Sequence, residues 1–125
     1  MTATKDPIRH NPTSPVDGLP VDVGTIRTTV DRALQQGPAP ERDDLVLLEQ
    51  LLRGHIQLLL PLGEQAVEQL DRRTVEYVGQ RQALNIARYR VGKRLCYDRA
   101  TAHTHVRLLA QDCRGLLRYA TGGGQ

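Results

Sequence analysis

Four histidines supply the side chains of this chain best suited to acid–base chemistry or metal binding near neutral pH. His55 lies within an apolar helical arc formed by Leu48, Leu51, Leu52 and Leu59. Such a histidine is either a ligand or catalytic base, or a buried imidazole that bonds a backbone carbonyl or a carboxylate. No polar partner lies three or four residues away, which favours the structural role. His55 is nevertheless the best candidate for a pocket residue.

The other spacings do not predict a metal centre or a cofactor site. His103 and His105 are two residues apart and, on a helix, point about 160° away from each other, so one ion cannot use both. Glu64 and Glu68 share a helical face but lack the Glu-x-x-His pairs of a carboxylate-bridged metal site. The chain has no Gly-x-Ser-x-Gly, His-Glu-x-x-His or P-loop motif. We therefore predict no catalytic residue, metal or cofactor.

Basic residues are concentrated in the C-terminal half, since residues 1–60 carry a net charge of −2 and residues 61–125 carry +5. The candidate basic patch comprises Arg88, Arg90, Lys93, Arg94, Arg107, Arg114 and Arg118. Together with nearby tyrosines, it could form a nucleic-acid surface. The alternative is an ordinary solvated helix face, diluted by Asp98 and Asp112. We favour the solvated face, because no helix-turn-helix signature accompanies the charge.

A helix predicted over residues 73–94 is apolar on two sides. Its second stripe consists of Val75, Val78, Ile86 and Tyr89. If all four side chains were exposed, they would form an apolar patch of a few hundred Å², near the upper range for isolated soluble proteins. The stripe therefore predicts either a homodimer or partner interface, or a surface covered by another helix of the same chain.

The elements that position these residues are predicted to be helices, because apolar residues recur at helical spacing and Phe and Trp are absent. We expect an all-α protein, a compact antiparallel bundle of four to five helices. The predicted helices span residues 22–37, 41–60, 62–70, 73–94 and 98–119, with Pro61 and Gly63 separating the second from the third. The second helix is apolar around half its circumference, so we expect it to be central, with Arg42, Glu49, Arg53 and Gln57 facing solvent.

The chain of 125 residues is long enough for one domain. Residues 1–20 contain four prolines and little periodic hydrophobicity, which predicts a disordered arm before a bundle over residues 21–120 and a flexible tail over 121–125. No stretch approaches the roughly 18 consecutive apolar residues of a membrane helix, and the start of the chain does not resemble a signal peptide. We expect a soluble cytoplasmic protein in which Cys96 and Cys113 are reduced thiols.

Three segments also resemble a known group of proteins: VDVGTIR at residues 21–27, LLRGHIQLLLP at 51–61 and RLLAQDCRGLLRY at 107–119. Together they resemble a family of small actinobacterial helical proteins of unknown function, labelled natural product biosynthesis proteins by genome context. The resemblance covers residues 21–119, and its most specific part is the block ending at Pro61. It implies a helical fold and a metabolic setting, and it assigns no catalytic residue.

These observations predict a non-enzymatic accessory or regulatory protein that acts by binding another protein or a second copy of itself. Natural product biosynthesis is the setting that the resemblance implies. One alternative is a nucleic-acid-binding regulator that uses the basic C-terminal half. A second alternative is a small-molecule enzyme or binding protein with a pocket at His55.

Overall fold

A computed structural model describes residues 21–121 of the chain, and these residues fold into four helices. The helices are α1 (Val23–Ala33), α2 (Arg42–Glu68), α3 (Val75–Val91) and α4 (Arg99–Ala120). No strand occurs between residues 21 and 121, so the all-α prediction is confirmed with four helices. The predicted arm over residues 1–20, and all of the predicted tail except Thr121, lie outside the described residues.

Three helices begin at a residue whose side chain satisfies a free backbone N–H group. Asp22, Thr74 and Asp98 each accept a hydrogen bond from the N–H group three residues later, at the start of α1, α3 and α4. Helix α2 has no such side-chain cap and carries Asp43 and Asp44 in its first turn, where carboxylates favour the positive end of the helix dipole. Local chain chemistry therefore determines where each helix starts.

The prediction that Pro61 ends a helix is wrong, because Pro61 lies inside α2, which is a single helix of 27 residues. Proline removes one backbone donor, but Pro61 lies on the exposed side of α2, where water can bond the freed carbonyl. The opposite side of α2 is buried before and after the proline, at Leu59, Gly63 and Val67. This continuous packing stabilises the helix across Pro61. The predicted short helix over residues 62–70 is therefore the last part of α2.

Gly63 has a packing role rather than the predicted role of a helix breaker. A Cβ atom at this position would lie 2.6 Å from Cδ2 of the buried Leu84 on α3 and 3.9 Å from Cδ2 of Leu116 on α4. The first distance is shorter than a normal carbon–carbon contact, so any larger residue would force the buried Leu84 side chain to move where α2 and α3 approach each other.

Helices α2 and α4 form the central pair of the bundle, with α1 and α3 packed on either side of them. Helix α3 runs antiparallel to α2, since Arg53 of α2 bonds the carbonyl of Lys93, just after α3, and Glu64 near the end of α2 pairs with Arg81 of α3. Helices α2 and α4 are parallel, since Arg99 at the start of α4 bonds the carbonyl of Pro40, just before α2, and Gly63 lies beside Leu116 near their ends. Helix α1 runs antiparallel to α4, since Arg107 in the first half of α4 bonds the carbonyl of Gln35, just after α1. Helix α4 buries an apolar seam between its neighbours, which consists of Ala102, Val106, Leu109, Cys113 and Leu116.

The orientation of α2 differs from the prediction. Leu45, Leu52, Ile56 and Leu59 are buried, as expected of a central helix. Two residues predicted to face solvent do not: Glu49 is buried, and Arg53 is half-buried and bonds the carbonyl of Lys93 in the α3–α4 connection. Conversely, Leu47, Leu51 and Leu58 are exposed. The apolar arc was too wide for its pattern to fix which leucines point inward.

By length and mean hydropathy, α2 is the one helix within residues 21–121 that could cross a membrane. Core helices of soluble bundles meet the same criteria, since they also carry long apolar runs. The inner face of α2 packs most extensively against α4.

Candidate functional site

His55 joins α2 to α1 through a hydrogen bond. Its Nε2 atom lies 3.2 Å from Oγ1 of Thr29, one of two buried polar residues in the described part of the chain. The ring is half-buried, and burial lowers the pKa of His55 from its ordinary value because the imidazolium loses water contacts. The Thr29 hydroxyl donates to the carbonyl oxygen of Thr25, so it accepts the N–H group at Nε2 of the neutral imidazole. The partner is a hydroxyl instead of the expected carbonyl or carboxylate, and this contact supports the structural role of His55.

Within residues 21–121 no group of three or more His, Cys, Asp or Glu side chains is arranged to hold a metal ion. Glu64 is instead bound by two arginines of α3: Nη1 of Arg81 lies 2.9 Å from Oε1, and Nη2 of Arg88 lies 2.6 Å from Oε2. The hydrogen bond from Arg88 is the main reason that the pKa of Glu64 is lowered. Glu64 therefore links α2 to α3, whereas Glu68 is exposed.

His105 is more enclosed than its sequence position suggests. Nε2 of His105 is buried and has no hydrogen-bond partner among the described residues. Burial lowers the pKa of His105, with Arg90 and other cations acting in the same direction and Glu49 opposing them. His105 therefore belongs to an internal polar group of α2, α3 and α4.

Asp112 and Arg90 complete this internal group. Nε of Arg90 lies 2.8 Å from Oδ2 of Asp112, and both side chains are largely covered. Burial nevertheless raises the pKa of Asp112, because desolvation of the carboxylate outweighs the attraction of Arg90. The spacing of His105 and Asp112, seven residues apart on α4, places both on the inner side of that helix. This spacing is the sequence feature that could have revealed the group.

The structure does not gather the predicted basic patch into one surface. Arg88 pairs with Glu64, Arg90 pairs with Asp112, and Arg107 bonds the backbone of Gln35. Lys93 lies over the ring of Tyr89, with Nζ 5.0 Å from its centre.

The other three members of the patch, Arg94, Arg114 and Arg118, form no ion pair with another described residue. Arg94 precedes α4, whereas Arg118 lies in the last turn of α4. Arg118 is therefore about 28 Å along the helix from its first residue. A continuous phosphate-binding track is therefore not formed by these residues.

The second stripe of the predicted fourth helix lies on the outer face of α3. The exposed fractions are 87% for Val75, 58% for Val78, 40% for Ile86 and 67% for Tyr89. On the inner side, α3 buries only Leu84 and Ala87. The alternative that α1 or residues 62–70 cover this stripe is wrong, because residues 62–70 pack against the opposite side of α3 through Gly63. We call these four exposed residues the α3 face.

A smaller exposed apolar stripe lies on α2 and was not predicted. Three leucines, Leu47, Leu51 and Leu58, are exposed. Together with Gly54, they are spaced alternately four and three residues apart along α2, which is also the spacing of the buried seam of α4. The spacing was visible in the sequence, but it does not by itself distinguish an inner seam from an outer one.

Comparison with known families places the chain in one of them. The sequence model of DUF6415, a family of unknown function, matches residues 24–124, which include all but the first residue of α1 and the whole of α2, α3 and α4. The chain belongs to DUF6415. No curated protein and no solved structure matches the chain. For this DUF6415 member, function must therefore be argued from its own surfaces.

Proposed function

We propose that this DUF6415 protein is a non-enzymatic accessory or regulatory protein that acts by binding another protein chain through the α3 face. The observation that supports this proposal is the exposure of four large apolar side chains on one side of a 17-residue helix. Apolar patches of this kind, bordered by polar residues, are typical of protein interaction sites. The polar groups of the bundle are instead used to connect its own helices, as His55 and Glu64 illustrate.

A second copy of the chain is the partner that fits the α3 face best. Val75 and Tyr89 lie seven residues on either side of Gln82, and Val78 and Ile86 lie four residues on either side. Two α3 helices packed antiparallel about Gln82 would therefore bring apolar residues opposite apolar residues. Such self-complementarity is what a two-fold symmetric interface requires.

Antiparallel packing of two α3 helices also aligns their helix dipoles favourably.

The cellular setting is proposed from sequence resemblance. The segments at residues 21–27, 51–61 and 107–119 resemble small actinobacterial proteins labelled natural product biosynthesis proteins. We accordingly place the protein in the cytoplasm of such an organism, as an accessory to a biosynthetic enzyme or its regulation.

Replacement of Ile86 and Tyr89 by glutamate tests the interface. We expect the full-length wild-type chain to have twice the 13.9 kDa mass of one chain in light scattering at about 0.1 mM, and the double variant to have the mass of a monomer. Both residues are exposed on the single chain, so the variant should stay folded and keep the helical circular dichroism spectrum of the wild type.

A charge-matched control replaces Thr104 and Gln111 of α4, which are exposed polar residues, with glutamate. This control should remain dimeric. A wild-type chain that stays monomeric at about 0.1 mM, or a control that dissociates as readily as the α3 variant, would contradict the assignment of the α3 face to a second copy.

A further inference from the structure

A cleft of about 280 Å³ opens between α1 and the last turns of α4. The buried side chains of Val30 and Leu117 contribute apolar surface to its lining. The charged residues around it are Arg27, Asp31, Arg114 and Arg118. Most of the lining residues are therefore charged, and Val30 and Leu117 supply a small apolar part, which suits a small charged ligand.

The charge around this cleft is unbalanced. Three arginines and one aspartate line it, and none of Arg27, Arg114 and Arg118 forms an ion pair or a side-chain hydrogen bond with another residue between 21 and 121. Most other described arginines do, including Arg53, Arg81, Arg88 and Arg90. Arg114 and Arg118 are also four residues apart on α4, so their like charges repel each other on one helix face. An anion in the cleft would relieve this repulsion.

The geometry points to a binding site for a small organic anion, a carboxylate or phosphate monoester carried on a short apolar body. Planar guanidinium groups bind both kinds of anion through paired N–H donors. Arginines from two helices can hold the anionic group from both sides, while the apolar body rests against Val30 and Leu117. The cleft is slightly smaller than most pockets for drug-sized ligands, so the ligand is correspondingly small.

A nucleic acid fits this cleft less well than a small anion. A polynucleotide needs a row of cations that follows several phosphates, whereas the three arginines here line one small cleft together with Asp31. The cleft also lies on α1 and α4, away from the α3 face, so the anion site is independent of the proposed dimer.

Calorimetric titration of the full-length protein with phenyl phosphate and with benzoate, at low ionic strength, tests the site. We expect one saturable site for at least one of the two probes, with a dissociation constant of about 0.1–1 mM. The probe that binds more tightly identifies the anion class. Inorganic phosphate should bind at least about fivefold more weakly, because it cannot use the apolar lining.

Matched arginine variants show whether binding occurs in the cleft. Arg118→Gln should weaken binding about tenfold, the effect of losing one charge-assisted contact. Arg94→Gln removes an exposed arginine from the α3–α4 connection and should leave the affinity unchanged. Circular dichroism of both variants should match that of the wild type, since both side chains are exposed.

Three results would overturn the proposal. These are the absence of saturable binding of either probe up to about 10 mM, equal weakening by the two variants, and inorganic phosphate binding as tightly as the organic probes. The last two would indicate general attraction of anions to a basic protein.

Discussion

The two cysteines differ in their surroundings and should differ in reactivity. Cys96 is exposed, whereas Cys113 is buried in the α4 seam. Burial, and to a lesser extent the neighbouring Asp112, raises the pKa of Cys113 to about 12. At pH 8 the Cys113 thiolate is therefore almost absent, and the thiol is also inaccessible to reagents.

We predict that iodoacetamide at pH 8 modifies the folded protein once, at Cys96, and modifies both cysteines after denaturation. Intact mass measurement followed by peptide mapping checks this. A Cys96→Ser variant should remain unmodified while folded. Modification of Cys113 in the folded protein at the rate of an exposed thiol would contradict its burial.

The buried histidines predict a loss of stability in mild acid. Burial lowers the pKa values of His55 and His105 below the ordinary 6.5, so protonation favours the unfolded chain. Their contribution is fully present above pH 6.5 and is lost as the pH falls through their lower values in the folded protein. The lowered pKa values of Asp22, Glu64 and Asp98 act at more acidic pH, because carboxyl groups titrate near 4.

We therefore predict that the unfolding temperature falls between pH 7.5 and pH 5, and that His105→Gln makes this fall smaller. Differential scanning calorimetry at both pH values measures the effect. His103→Gln is a control at the neighbouring histidine of α4, for which we expect the wild-type fall. An equal fall in all three proteins would contradict the role of His105 burial.

At the scale of the helices, the contact of α2 with α3 depends on Gly63. A methyl group there would meet Leu84 at 2.6 Å, and Leu84 is buried, so it has little room to move. Gly63→Ala should therefore destabilise the protein by about 1–3 kcal/mol, the usual effect of overpacking a core. Urea denaturation measures the change.

Gly54 provides a matched control on the same helix. A Cβ atom at Gly54 would have no neighbour within 4 Å, so Gly54→Ala should stabilise the protein by about 0.5–1 kcal/mol through higher helix propensity. If Gly63→Ala stabilised the protein as much as Gly54→Ala does, the close approach at Gly63 would be refuted.

Arginine also connects the helices through their loops. Nε of Arg99 lies 2.9 Å from the carbonyl oxygen of Pro40, and Nη2 of the same residue lies 2.6 Å from that of Ala39, in the α1–α2 loop. Arg42 donates to the carbonyl of Cys96 in the α3–α4 loop. These bonds satisfy loop carbonyls that have no helical partner. Much of the arginine content therefore has a structural use.

At the scale of the whole molecule, this use of arginine limits nucleic-acid binding. Arg88, Arg90 and Arg107 bond other parts of the chain, and the remaining cations of the predicted patch lie at opposite ends of α4. We predict that the affinity for duplex DNA, measured by fluorescence anisotropy from about 50 to 200 mM salt, depends on salt with a logarithmic slope smaller in magnitude than about 3. A slope of about 6 or more would show a continuous phosphate-binding surface.

The sequence by itself determined the all-helical class and the helix starts near Asp22 and Asp98, and the apolar spacing that forms the buried seam of α4 is local to that helix. These features depend on residues within a few turns of each other, through capping and apolar periodicity. The exposed stripe of α3 was also visible as a second apolar side, although its periodicity could not show whether another helix covers it.

Only the tertiary structure decided the features that depend on contacts between distant residues. Helix α2 continues through Pro61 because its inner face is buried on both sides of the proline. Its rotation, which exposes Leu58 and buries Glu49, follows from the positions of α3 and α4. The charged cleft needs Arg27 of α1 and Arg118 of α4, 91 positions apart, to meet. Local sequence patterns fix the faces of a helix, but only packing determines which other element each face meets.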